Sequence, residues 1–149
     1  MKKLVLLGGG HAHVHVLKSL ADAPLAEVEV TLISPYARQV YSGMLPGWVA
    51  GHYTLEQCVI PLPPLCRATG ATFIETAGRH IDFPRRVVQC VNGAEIAFDV
   101  LSIDTGPMAN TAVIPGAGGH AVAVRPIESF IGAYAMLKRD ITVRANAGL

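Results

Sequence analysis

The most constraining feature of the chain lies at its start. Leu4-Val-Leu-Leu7 is a short apolar run closed by Gly8-Gly9-Gly10 and followed at once by His11-Ala-His-Val-His-Val-Leu-Lys-Ser-Leu-Ala-Asp22. A brief, unbroken apolar run with turn residues behind it reads as a parallel strand buried on both faces. Beyond the glycines, Val14, Leu17 and Leu20 recur at helical spacing with Lys18 on the other side, so a helix begins where the glycines end. Val28 to Ile33 is a second, β-branched strand, stopped by Ser34-Pro35. Strand, glycine turn, helix and strand within 34 residues commit the chain to a layered α/β fold.

The glycine turn carries a chemical expectation. Gly8 and Gly10 fill the first two positions of G-x-G-x-x-G, and His13 stands at the third. Gly8 permits a tight turn out of the strand, and Gly10, lacking a Cβ, lets a diphosphate approach the backbone. The helix then offers free N–H groups and a positive dipole end to that diphosphate. Dinucleotide binding is the functional reading; a glycine-rich turn with no ligand is the plain one. The acid that normally holds a ribose at the end of the second strand is replaced by Ser34, with Arg38 four residues on. Losing the carboxylate removes repulsion against a 2′-phosphate, so NADP stands as an alternative to a cofactor without that group. Gly116-Ala-Gly118-Gly119-His-Ala121 also fits the pattern, but Ala-Val-Ala-Val follows it. That is a strand pattern with no helix end to face a phosphate, so the stretch reads as a surface loop.

Further along, residues 40–54 hold Gly43, Pro46, Gly47 and Gly51 and read as a long structured loop. Pro63 or Pro64 can start a short helix ending near Gly70, and Ala71 to Glu75 is a third strand. Short strands at 80–83, 86–91 and 95–98, separated by Pro84 and by Asn92-Gly93, form an antiparallel meander over 79–98. Val100 to Ile103 is another buried strand, and residues 126–139 look helical, with Ile127, Ile131, Tyr134 and Leu137 on one face.

Composition closes off other classes. A net charge of +1 gives nucleic acid nothing to pull on. Charged residues are 15%, against roughly 25% in a typical soluble domain, so either the sheet is covered on both faces or apolar surface awaits a partner. Cys58, Cys66 and Cys90 contain no C-x-x-C and read as reduced, buried thiols of a cytoplasmic protein, a redox role for Cys58 and Cys66 being the minor alternative. His11, His13 and His15 alternate by two, which on a helix turns neighbours about 200° apart, so no metal site is expected. The apolar run after Lys3 is too short for a signal peptide, and no stretch reaches the ~20 apolar residues of a membrane span.

Taken in order, the Gly8–Gly10 turn, Tyr41-Ser-Gly-Met-Leu-Pro-Gly47, the meander and Asp99-Val-Leu-Ser-Ile-Asp-Thr-Gly106 resemble the FAD-binding N-terminal portion of the pyridine nucleotide-disulphide oxidoreductase superfamily. His11-Ala-His-Val-His15 and Arg125-Pro-Ile-Glu-Ser-Phe130 are similar to its type II NADH dehydrogenase-like branch, including the flavoprotein module fused to some selenide water dikinases. The resemblance implies a Rossmann-like FAD/NAD(P)-binding fold: a central parallel sheet, helices on one face and the three-stranded antiparallel meander on the other. It implies that Gly8, Gly10 and the His11-Ala12 backbone hold the FAD diphosphate, that Ser34, Pro35 and Arg38 lie by the adenosine ribose, and that Ala77 borders the adenine. Thr105 and Gly106 would close over the flavin side of the diphosphate, and Met44-Leu45-Pro46 would lie near the ring system. NAD(P)H would be the co-substrate, and a quinone or another acceptor would take the electrons. The family's NAD(P)H-binding domain and return segment do not fit in the twelve residues after Leu137. Residues 1–149 are therefore expected to be an incomplete FAD-binding domain, a fragment or a subunit. A homo-oligomer or a partner chain would cover its apolar surface, and the complete enzyme is open to peripheral membrane contact. A degenerate, non-enzymatic module stays open beside the enzyme reading. No proton-transferring residue is assigned.

Overall fold

β1 (Lys2–Leu7), α1 (His11–Asp22) and β2 (Val28–Ser34) follow one another as the pattern implies. They belong to a computed structural model that describes residues 1–110 and 113–146. Residues 111–112 and 147–149 of the expected domain lie outside the described ones. The chain divides into two compact units, Met1–Thr105 and Gly106–Leu149.

In the first unit, β1 pairs in parallel with β2 on one side and with β9 (Val100–Ile103) on the other. β5 (Thr72–Glu75) adds to β2, giving the order β5-β2-β1-β9. Alternation along the central strands explains why Leu4–Leu7 reads as an unbroken apolar run. Leu6 and Leu32 pack with Leu17 of α1 and with Leu62 and Cys66 of α3 (Leu62–Thr69). Their neighbours Val5, Leu7 and Ile33 pack with Val88, Cys90 and Phe98 of the meander side. Both faces of the sheet are covered, as parallel sheets require.

The meander consists of β6 (Gly78–Asp82), β7 (Val87–Cys90) and β8 (Glu95–Ala97), all antiparallel. Its second turn is not the two-residue type that Asn92-Gly93 suggests. Gly93 alone takes a left-handed conformation (φ +86°), its N–H bonds Cys90 O at 3.0 Å, and Cys90 N–H bonds Ala94 O at 2.8 Å. That is a three-residue loop, Val91-Asn92-Gly93, with the glycine supplying the bulge.

Residues 40–54 are more ordered than a loop. β3 (Arg38–Val40) and β4 (Val59–Pro61) form an antiparallel pair with Val40 opposite Val59. Between them lie a 3-10 turn (Ser42–Met44), α2 (Leu45–Val49) and a second 3-10 turn (Glu56–Cys58). Leu45 and Cys58 are buried and hold the excursion to the body.

In the second unit, the Gly116–Ala121 stretch is not wholly a loop, for α4 (Ala117–His120) makes one helical turn there. The expected strand at 121–124 does not form. α5 (Ile127–Asn146) runs seven residues past its expected end, and Phe130 stacks on Tyr134 with ring centres 5.8 Å apart. No described helix is long and apolar enough to cross a membrane.

Candidate functional site

The glycine corner sits at the carboxyl ends of β1 and β9, where ligands gather in open parallel sheets. Gly8 N–H bonds Ile33 O at 2.7 Å, Asp104 N–H bonds Leu7 O at 2.8 Å, and Gly10 N–H bonds Asp104 O at 3.1 Å. The corner is thus laced to β2 on one side and to the residue after β9 on the other. Gly8 has φ +99°, and a Cβ there would meet the Asp104 carbonyl, with Thr105 Cα at 2.8 Å.

The N-terminus of α1 has no side-chain cap from its own N-cap residue, Gly10. The cap comes from far along the chain instead. Asp104 Oδ2 accepts Ala12 N–H at 2.9 Å and His13 N–H at 3.3 Å. A Cβ on Gly10 would run into that same carboxylate. Two first-turn amides and a bare backbone therefore surround a negatively charged group, which is what such a helix end accommodates.

His13, the departure from the third glycine, does not fill the corner. It is buried beneath it: Nδ1 is 2.7 Å from Gly8 O, and Nε2 is 2.8 Å from Ser102 Oγ. A carbonyl can only accept, so Nδ1 donates to Gly8 O; in the neutral ring Nε2 then accepts the Ser102 hydroxyl. The imidazole thereby pins the turn to β9. His13→Ala leaves a cavity and strands both partners. The expected loss is about 2–3 kcal/mol in unfolding free energy, read from the urea midpoint, whereas His11→Ala at the exposed neighbour should change it little.

The other expected residues spread out from this corner. Ser34 is buried beside Gly9, its Oγ 3.2 Å from the position of a Cβ there. Its hydroxyl donates to Tyr36 O at 3.0 Å and accepts Tyr36 N–H at 3.3 Å, a local turn that leaves no free donor for a ribose. Pro35 and Arg38 are exposed. Ala77 is half-buried, and its carbonyl accepts Val91 N–H at 2.9 Å, tying the end of β5 to the meander. Thr105 is exposed next to Asp104, and Gly106 opens the second unit with φ +76°.

Sequence reasoning missed three neighbours of the corner. Asp104 is the first, and its signal was available: an acid directly at the carboxyl end of a parallel strand. Tyr41 is the second, its ring 4.8 Å from that of His11 at 70°, an edge contact. Gln39 is the third, its Oε1 3.5 Å from the position of a Gly9 Cβ. The latter two are carried there by β3 and by the Tyr41 N–H to Cys58 O bond of 2.7 Å.

The cysteines stand apart from this chemistry. All three are free and buried. Burial pushes the Cys66 and Cys90 thiols up, while Cys58 donates to Thr54 O at 3.3 Å. Because the thiolate is the reactive form, both raised thiols should react with Ellman's reagent at least ~10-fold more slowly in the native chain than in urea. His11 and His15 are exposed while His13 is buried, and no group of three His, Cys, Asp or Glu side chains converges among the described residues.

The architecture and the corner together define a Rossmann-like fold, with the meander on one sheet face and α1 and α3 on the other. No family model matches the chain. It is 29% identical over 136 residues to the external NADH-ubiquinone oxidoreductase 2, mitochondrial, of Saccharomyces cerevisiae, covering 85% of this chain and 24% of that protein. It is 29% identical over 139 residues to the external alternative NAD(P)H-ubiquinone oxidoreductase B3, mitochondrial, of Arabidopsis thaliana, covering 85% and 23%. The chain spans about a quarter of the length of these relatives. Among solved structures, the sulfide:quinone oxidoreductase of Aquifex aeolicus matches 93% of the chain and 32% of its own with a TM-score of 0.77 at 23% identity. NDH2 of Plasmodium falciparum matches 88% and 27% with a TM-score of 0.72 at 20% identity. The expected resemblance to type II NADH dehydrogenases is thus met, as is the fold. The cytoplasmic expectation finds no support in relatives whose names place them in mitochondria.

Proposed function

We propose that this chain is the FAD-binding part of a flavin-dependent oxidoreductase of the NAD(P)H dehydrogenase type. One observation carries the reading: the glycine-lined head of α1 already gathers a negative group against its first-turn amides. A diphosphate asks the same of Gly8, Gly10 and the amides of His11 and Ala12. Ser34, Pro35 and Arg38 would flank the adenosine ribose, Ala77 would border the adenine, and Thr105 would lie on the flavin side. With its own hydroxyl engaged, Ser34 would meet the ribose through the shape of its turn more than through a hydrogen bond.

FAD would supply the redox chemistry between NAD(P)H and a quinone or another acceptor, and the residues of the corner would position it. The residues around the corner would hold the cofactor, and none of them is assigned a proton transfer. The exposed edge strand β9, with Val100 and Ile103 open to solvent, supports further polypeptide or a partner chain covering that side. The free thiols support a reducing compartment.

The rival cofactor, NADP, needs a free cation for its 2′-phosphate. Arg38, exposed four residues after Ser34, is the cation that such a phosphate would call on. The deciding experiment is a visible spectrum of the purified chain, followed by titration with FAD and, separately, NADPH. Flavin absorbance, or saturable FAD uptake with weaker NADPH uptake, is the expected result. A colourless chain that takes up neither defeats the proposal.

A further inference from the structure

Asp104 occupies the place that the proposed function reserves for a phosphoryl group. Its Oδ2 takes the Ala12 and His13 amides at 2.9 and 3.3 Å, and its carboxylate fills the space that a Cβ on Gly10 would need. Its backbone is fixed independently of the side chain, by Leu7 O and by Gly10 N–H. The side chain can therefore turn away without loosening β9. The Ala12 amide cannot serve this carboxylate and a diphosphate at once, and like charges at that separation repel.

We propose that Asp104 is an internal stand-in for the cofactor diphosphate, capping α1 in the ligand-free chain and rotating out when a dinucleotide binds. The inference rests on the FAD reading and deepens it. Asp104 becomes a specificity-determining residue, because an incoming anion must offer the first-turn amides more than a carboxylate already tethered beside them. A single weak anion fails that comparison, while a diphosphate brings two phosphoryl groups to it. The same contact protects α1 from fraying when no ligand is present, since an acid at a helix N-terminus satisfies orphan donors and complements the dipole.

Two variants of the 149-residue chain test this. Asp104→Asn keeps the shape and an acceptor oxygen but removes the charge; Asp104→Ala removes the cap altogether. In the ligand-free state, the Ala12 and His13 amides should exchange hydrogen at least ~10-fold faster in Asp104→Ala than in the parent chain, by loss of an N-terminal cap. Unchanged exchange overturns the capping role. In FAD titrations followed by flavin fluorescence, both variants should bind at least ~10-fold tighter than the parent, the removal of a competing anion being the cause. Equal or weaker binding in both overturns the inference and makes Asp104 a permanent structural cap. If no form of the chain takes up FAD, the FAD reading fails, and inorganic pyrophosphate then decides the inference separately. Pyrophosphate that slows exchange at the Ala12 and His13 amides in Asp104→Ala but not in the parent supports the stand-in role. Pyrophosphate that slows neither overturns it.

Discussion

Alanine at Gly8 is expected to lower the unfolding free energy by about 3–5 kcal/mol, enough to unfold much of a domain whose total stability is about 5–15 kcal/mol. Two costs combine. At φ +99° an L side chain is strained by about 1–3 kcal/mol. The added methyl also meets the Asp104 carbonyl and sits 2.8 Å from Thr105 Cα, both backbone atoms. Backbone cannot swing aside as a side-chain tip can, so β9 has to shift relative to β1 and the bond from Gly10 N–H to Asp104 O at 3.1 Å is put at risk. Overpacking of this kind adds about 1–3 kcal/mol. Gly93→Ala separates the two costs. It has φ +86° and nothing within 4 Å of its would-be Cβ, so it should lose only the conformational share. A urea midpoint for Gly8→Ala that matches that of Gly93→Ala would show that the close approach of β9 carries no energy.

The elements legible in the sequence were those written in local periodicity. β1, α1, β2 and the meander follow from runs and turns within a dozen residues, even though faces such as that of Val5 and Leu7 are buried by residues far along the chain. β3 and β4 escaped notice for a physical reason. Each is three residues long, too short to show alternation, and they pair across an eighteen-residue excursion from Tyr41 to Cys58. α2 was hidden by Pro46 and Gly47, poor helix formers that are tolerated here because the proline falls in the first turn. The overextended reading at 121–124 shows the converse. β-branched valines at Val122 and Val124 fit a strand, but a strand needs a partner, and none pairs with them.

The site was legible in its backbone and not in its side chains. Gly8 and Gly10 announce a close approach without saying what approaches. Asp104 reaches α1 from 92 residues away in sequence, and no periodicity encodes such a contact. His13 looked like damage to a fingerprint. Its burial and its two bonds show instead that the third position here is filled by a side chain that braces the turn from below. A glycine at that position removes bulk so that helix and sheet can close; a hydrogen-bonded imidazole joins them by filling the space.

Valine at Gly10 should separate ligand from fold in the opposite sense to alanine at Gly8. Gly10 has φ −66° and ψ 176°, an extended backbone that any residue adopts, so no strain is added. The three atoms nearest a Cβ there all belong to the Asp104 carboxylate, the free end of a side chain that can rotate. The expected stability loss is therefore that of one helix cap, about 1 kcal/mol. The expected loss of FAD affinity is far larger, at least ~100-fold, because the branched side chain stands over the first-turn amides of α1, where the diphosphate would lie. Flavin fluorescence titration against a urea melt on the same preparation reads both quantities. A variant that keeps FAD within a few-fold of the parent would place the diphosphate somewhere other than this corner. A variant that instead loses several kcal/mol would mean that Asp104 cannot turn away, and that the carboxylate belongs to the fold itself.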